Sequence, residues 1–253
     1  MLKNITILIC SFSLFLTSCQ FSEDIYINED GSGKIAFSFD GSQFMQMAGD
    51  AMGEEAQESI DSTFSFKEIL NKKKDSIATL SVEEQKKLKK FENYDIHMIM
   101  DSETKIMKLE VYTEFTDASN MQDMFKAMTT FSELEANKKE TPIGNDKANP
   151  LSSLNNSDYT NVSYTYNGNK FTRNVQFIDK EGYKQLTDSL KQMSAMLGTS
   201  VYKLNYHFAK PIKSINNDNA MFSADRKTVT VEFPFMTYML DPEALNLEVI
   251  LED

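Results

Sequence analysis

The chain has 253 residues, with 26 Lys+Arg against 38 Asp+Glu and a formal net charge of −12. An acidic balance of that size argues against nucleic acid as a partner, because binding there rests on cations neutralising phosphates. Two cysteines and two histidines in the whole chain leave almost nothing for a disulfide framework, a thiol nucleophile or a metal cluster.

The first residues, MLKNITILICSFSLFLTSCQF, place Lys3 before an apolar run from Ile5 to Leu16, and small residues then lead to Cys19. This is a secretory leader ending in a lipobox, Leu16-Thr17-Ser18-Cys19, so residues 1–18 are expected to be removed and Cys19 to carry acyl chains. The apolar run is too short for a permanent membrane-spanning helix. Loss of the leader removes Lys3 alone and takes the net charge to −13. An acidic body is repelled by anionic headgroups, so the acyl chains must hold it at the membrane. Cys10 leaves with the leader and the Cys19 thiol is consumed by lipid, which leaves packing alone to stabilise the fold. Residues 19–24 read as the lipidated cysteine and a tether, with the acidic pair Glu23-Asp24 solvated. Such a pair also resembles the surface-export signals of some Gram-negative lipoproteins.

From residue 25 onward, period-2 alternation predicts antiparallel strands with one wet face. Ile25/Ile27 meets Ile35/Phe37/Phe39 across the turn residues Asp30-Gly31-Ser32-Gly33. Residues 54–92 are charged and helical in character, with sparse apolar contacts at Phe66, Ile69, Leu70, Val82, Leu88 and Phe91. Ile96/Met98/Met100 is followed by Met107/Leu109/Val111/Phe115. Val162/Tyr164/Tyr166 is followed by Phe171/Val175/Phe177 across Asn167-Gly168, a dipeptide suited to a type I′ turn. Three further runs follow the same rule: Tyr202 to Phe208, Val229 to Phe233 and Leu245 to Leu251. Each of the first three hairpins leads to an aspartate, Asp40, Asp117 or Asp179, and then to a helical pattern. Apolar residues recur at Phe44/Met47/Ala48/Ala51, at Met121/Met124/Phe125/Met128 and at Tyr183/Leu186/Leu190. Spacings of three and four place each set on one helical face, with the aspartate as N-cap. Residues 135–158 carry Pro142 and Pro150 and no aromatic, and read as a long loop and a candidate boundary between two lobes. The predicted architecture is α+β: an antiparallel sheet built from hairpins over residues 25–253, with amphipathic helices packed on one side.

Catalytic chemistry has few candidates. His97 and His207 fall on the polar parity of their strands, and no G-x-S-x-G, H-E-x-x-H or P-loop spacing occurs. Asn28-Glu29-Asp30-Gly31-Ser32-Gly33 crowds oxygen ligands without the ladder of a calcium loop, and a hairpin turn explains it. No metal or cofactor is implied. Scattered carboxylates such as Asp40, Asp117 and Asp179 are what a hydrolase would have to use. The 15 methionines are mostly on apolar faces, where they fill cores, although flexible Met side chains can also line a groove for apolar ligands. Met121, Met124, Phe125 and Met128 form the candidate groove.

The stretch Ile25-Tyr26-Ile27-Asn28-Glu29-Asp30-Gly31-Ser32-Gly33, directly behind a lipidated cysteine, resembles the opening of LppM-type lipoprotein domains. The tail is similar too: Tyr202–Phe208, then Lys210-Pro211-Ile212, Asn216-Asn217 and Thr228-Val229-Thr230-Val231, with Glu232 where that family commonly has tryptophan. The resemblance implies an α+β, membrane-anchored, non-enzymatic protein, and apolar lipid-type ligands for some members. It transfers no functional residue. The expectation is a lipid-anchored cell-envelope protein, on the periplasmic or surface side, that binds an apolar ligand or an envelope partner. The alternatives are a purely structural interaction module with no ligand groove and a hydrolase relying on carboxylates such as Asp40, Asp117 and Asp179.

Overall fold

A computed structural model describes residues 20–48, 59–124, 159–190 and 198–253. Residues 1–18, Cys19, Phe125, Met128 and residues 135–158 lie outside them, as does Ala51 of the first predicted helical face.

The expected α+β class holds. The strands are β1 (Gln20–Ile27), β2 (Gly33–Asp40), β3 (Ile60–Ser65), β4 (Asp95–Asp101), β5 (Ile106–Phe115), β6 (Thr160–Tyr166), β7 (Lys170–Phe177), β8 (Val201–Phe208), β9 (Ile212–Ile215), β10 (Met221–Phe222), β11 (Thr228–Pro234) and β12 (Leu247–Leu251). They form two sheets rather than one. The larger has the order β10-β11-β8-β1-β2-β5-β4-β3, and the smaller β6-β7-β12-β9. All three expected hairpins are present, β1–β2, β4–β5 and β6–β7. The larger sheet departs from the antiparallel expectation at one place, where β1 pairs in parallel with β8.

Among the described residues the α-helices are α1 (Ser42–Ala48), α2 (Phe66–Lys72), α3 (Lys74–Ile77), α4 (Val82–Lys89), α5 (Lys180–Leu190) and α6 (Phe235–Leu240). A capping box starts α4: Glu84 N–H donates to Ser81 Oγ and Ser81 N–H to the Glu84 carboxylate, so two otherwise orphan donors are satisfied. No described helix is long and apolar enough to cross a membrane.

Several expectations need correction. Residues 20–24 are not a tether, because β1 begins at Gln20 and Glu23 is buried. The 135–158 loop does not divide two lobes: β8 and β11 follow it in sequence yet join β1 and β2 in one sheet, and one continuous core spans both sheets. Asp117 caps only a 3-10 turn, Ala118–Asn120, and Met121 leaves it in extended conformation, so the second unit has no α-helix starting at the aspartate. The Asn167-Gly168 turn has positive φ at Gly168 but not at Asn167. Asn167 N–H donates to the Lys170 carbonyl, which makes Gly168 the first central residue, as in a type II′ turn.

The alternation of each strand is a partition between two environments. On the larger sheet, Phe21, Ile25, Ile35, Phe37, Ile96, Val111, Leu204 and Val231 face inward and belong to the core. The smaller sheet contributes Tyr164, Phe171, Val249 and Leu251 from the opposite side. Helix α6 adds Phe235, stacked on Phe21 at 4.0 Å, and Tyr238, stacked on Tyr202 at 4.4 Å. Phe66, at the start of α2, and Phe91 close the core at the β3–β5 end. The other face of the larger sheet carries Ser22, Asp24, Tyr26, Lys34, Ser38, Glu110, Tyr112, Lys203, Asn205, His207 and Glu232, none of which belongs to the core.

Candidate functional site

Glu23 is the least expected buried residue. It is on the inward parity of β1 between Phe21 and Ile25, and is only 2% exposed. Arg173 is also 2% exposed, on the inward parity of β7 between Phe171 and Val175. Arg173 Nε donates to Glu23 Oε1 at 3.3 Å, and its Nη1 donates to the Leu245 carbonyl at 3.3 Å. Tyr206 donates to Glu23 Oε1 at 2.7 Å, and Tyr164 and Tyr202 to Oε2 at 3.1 and 3.3 Å.

The register explains the convergence. Glu23 lies beside Leu204 in the parallel β1–β8 pair, so Tyr202 and Tyr206, two residues either way, flank it on the same face. Tyr164 and Arg173 are direct cross-strand partners in the smaller sheet, facing it. The cluster therefore bolts one sheet to the other. A carboxylate without these donors would be very costly to bury, and four donors on its two oxygens supply the compensation.

The electrostatics follow from that enclosure. Burial, reinforced by the Glu23 carboxylate, pushes the phenols of Tyr164, Tyr202 and Tyr206 well above their ordinary value. Burial is the largest single influence on Arg173 and opposes its charge, but the Glu23 carboxylate together with Tyr164, Tyr206 and Tyr202 outweighs it and holds the guanidinium protonated well above the usual range. The three phenols and the guanidinium therefore act as fixed donors at neutral pH.

The signal for this cluster was present in the sequence: a glutamate in register with Phe21, Ile25 and Ile27, and an arginine in register with Phe171 and Val175. Charges on an apolar parity are rare enough to predict a buried pair. The acidic-tether reading of Glu23-Asp24 hid it. Asp24, on the other parity, accepts hydrogen bonds from Ser22 Oγ and Asn205 Nδ2.

The expected site residues are dispersed. Met121 and Met124 are buried in the continuous core, and Phe125 and Met128 lie outside the described residues. Met121 lines a surface depression of about 350 Å3 together with Tyr94 and Phe115, but most of the remaining lining is polar or charged, among it Lys90, Asn93, Glu114 and Gln122. Asp40, Asp117 and Asp179 each accept from backbone N–H groups two or three residues ahead: Ser42, Ser119, and Glu181 with Gly182. Asp179 thereby caps α5, as expected. Ser119 also holds the Asp117 carboxyl below its usual range. Asp30 serves its own turn in the same way, accepting from Ser32 N–H and Oγ.

His97 Nε2 lies 2.8 Å from Asp61 Oδ1 near the sheet edge. His207 is not the freely solvated side chain expected of its parity. Its ring stacks on Tyr26 at 4.0 Å and 3°, Nδ1 contacts Thr228 Oγ1 at 3.0 Å, and Nε2 is buried with no hydrogen-bond partner among the described residues. Burial lowers its pKa, against a smaller opposing pull from Asp24.

No protein-family model and no curated protein matches the chain. Among solved structures, it is similar to the NMR structure of the folded domain of the Mycobacterium tuberculosis LppM protein, with 9% identity over 95% of this chain and 94% of that one. The TM-score is 0.33, a weak resemblance from which no residue role is carried over.

Proposed function

We propose that this chain is a lipid-anchored, non-catalytic interaction module of the cell envelope, and that it meets an envelope protein through the outer face of its larger sheet. One observation carries the reading. The inner face of that sheet is filled by the core and bolted at Glu23, whereas the outer face carries mostly polar and charged side chains, none of which belongs to the core. The row Thr230, Asn205, Asp24, Ala36, Tyr112 and Asp95 crosses it in register. The burial of Met121 and Met124 speaks for an interaction module over an apolar groove. The local hydrogen bonding of Asp40, Asp117 and Asp179 speaks against a carboxylate-based hydrolase.

Two measurements test this. Cys19→Ser should lose acylation and leave precursor or a released form, since that thiol is the site for the lipid. A photo-reactive residue at Ser38, mid-sheet on the outer face, should give a discrete protein adduct in intact cells, and one at Gln85 on α4 should not. Adducts at Gln85 with none at Ser38 would move the interface elsewhere.

A further inference from the structure

The join between the anchor and the fold has no slack. Gln20 is already hydrogen-bonded in β1, and one peptide bond separates its Cα from that of Cys19 by about 3.8 Å. Lipoproteins that reach away from a membrane need a linker, whose span grows with its length. Here the first residue after the acylated cysteine belongs to a strand with neighbours on both sides, β2 and β8.

The register shows what accompanies Gln20. Asp40 and Val201 are its direct partners on the two sides, Lys108 lies beyond Asp40, and Pro234 lies beyond Val201. The β4–β5 connection, residues 102–105, is at the same end, because Asp101 pairs with Ile106 two positions past Lys108. At the opposite end is the Asp30-Gly31 turn. Eight residues of extended strand put the two ends about 26 Å apart.

We propose that the sheet end formed by Gln20, Asp40, Lys108, Val201 and the 102–105 turn is seated on the lipid headgroups, with β1 running away from the bilayer. The inference rests on acylation of Cys19, as argued above. The occupant is a lipid surface because the acyl chains begin at this end, with no residues left to span a gap. Charge decides the tilt. The sheet's outer face carries Asp24, Asp40, Asp61, Asp95, Asp101, Glu110, Glu114 and Glu232 against Lys34, Lys108 and Lys203, so laying it flat would press an acidic surface on anionic lipid. An upright sheet keeps that face clear of the membrane.

The test uses the full acylated protein in vesicles of phosphatidylethanolamine and phosphatidylglycerol. The natural thiols are removed or blocked by processing, so a cysteine introduced by Glu103→Cys or Asp30→Cys takes a fluorophore at one place. Lipids spin-labelled at the headgroup should quench the label at position 103 at least about threefold more than that at position 30, given the ~26 Å between the ends. Inserting about 20 Gly/Ser residues between Cys19 and Gln20, a flexible span of roughly 25 Å, should abolish the difference. Equal quenching at both positions in the acylated protein, or a contrast that survives the linker, would overturn the orientation and leave the anchor intact. The mass of the N-terminal peptide from the same samples separates the other failure. An unacylated Cys19 would overturn the anchor and this seating together.

Discussion

Glu23 and Arg173, 150 positions apart in sequence, meet as a buried ion pair that joins the two sheets. Each is on a strand face otherwise given to aromatic and aliphatic side chains, and the tyrosines around them complete the donor set.

Removing either partner of the pair should be costly, and the two losses should not add. Glu23→Leu leaves a buried guanidinium unpaired, and Arg173→Leu leaves a buried carboxylate short of its cation, at a cost of about 3–5 kcal/mol each. The double variant should cost less than the sum of the singles, because neither charge is then stranded. Denaturant midpoints of the three variants check this. Additive losses would mean that the pair is not coupled.

The same enclosure sets behaviour in alkali. Unfolded phenols release protons near pH 10, whereas Tyr164, Tyr202 and Tyr206 hold theirs to well above that value in the fold. Their contribution to stability is therefore complete below about pH 10 and is lost as pH rises beyond it. Phenolate absorbance should show these tyrosines ionising only with unfolding. Ionisation alongside the exposed tyrosines, in a protein still folded, would refute the enclosure.

His207 gives a slope of its own on the acid side. Its folded pKa is lowered chiefly by burial, so the unfolded chain binds the proton more readily. The associated stability is present above about pH 6.5 and is lost as pH falls through that value towards the folded pKa. His207→Gln should flatten that part of the stability profile. An unchanged slope would place its origin elsewhere.

Met124 distinguishes a filled core from a hollow groove. It is 1% exposed, so Met124→Ala should cost about 2–5 kcal/mol. A loss well under that, together with weaker uptake of a fluorescent apolar probe, would instead favour a ligand groove. Paired measurements of denaturant midpoint and probe affinity give both readouts.

Local patterns were legible, and long-range partners were not. Alternation marks β1, β2, β4, β5, β6, β7, β8, β11 and β12, because one face of each is core and the other is not. Strand β3 escaped notice because Ile60–Ser65 is an edge strand, exposed at Asp61 to Phe64, and so carries little alternation. Strands β9 and β10, four and two residues long, are too short for a period to show. The β1–β8 pairing has no local signature, since nothing in residues 20–27 says which distant strand lies alongside. The candidate groove was half legible: Met121 and Met124 are apolar and buried, but spacing alone cannot distinguish a lined pocket from a packed interior.

That parallel pairing also governs the order in which the molecule is completed. Asp24 and Asn205, hydrogen-bonded neighbours, are 181 positions apart, so the central strand keeps one edge open until β8 has been made. Closing so long a loop is entropically costly and slow, and contacts of this range hold back folding. A nascent chain thus cannot finish its larger sheet before most of it has been synthesised. The topology therefore leaves β1 with one edge unpaired through most of synthesis.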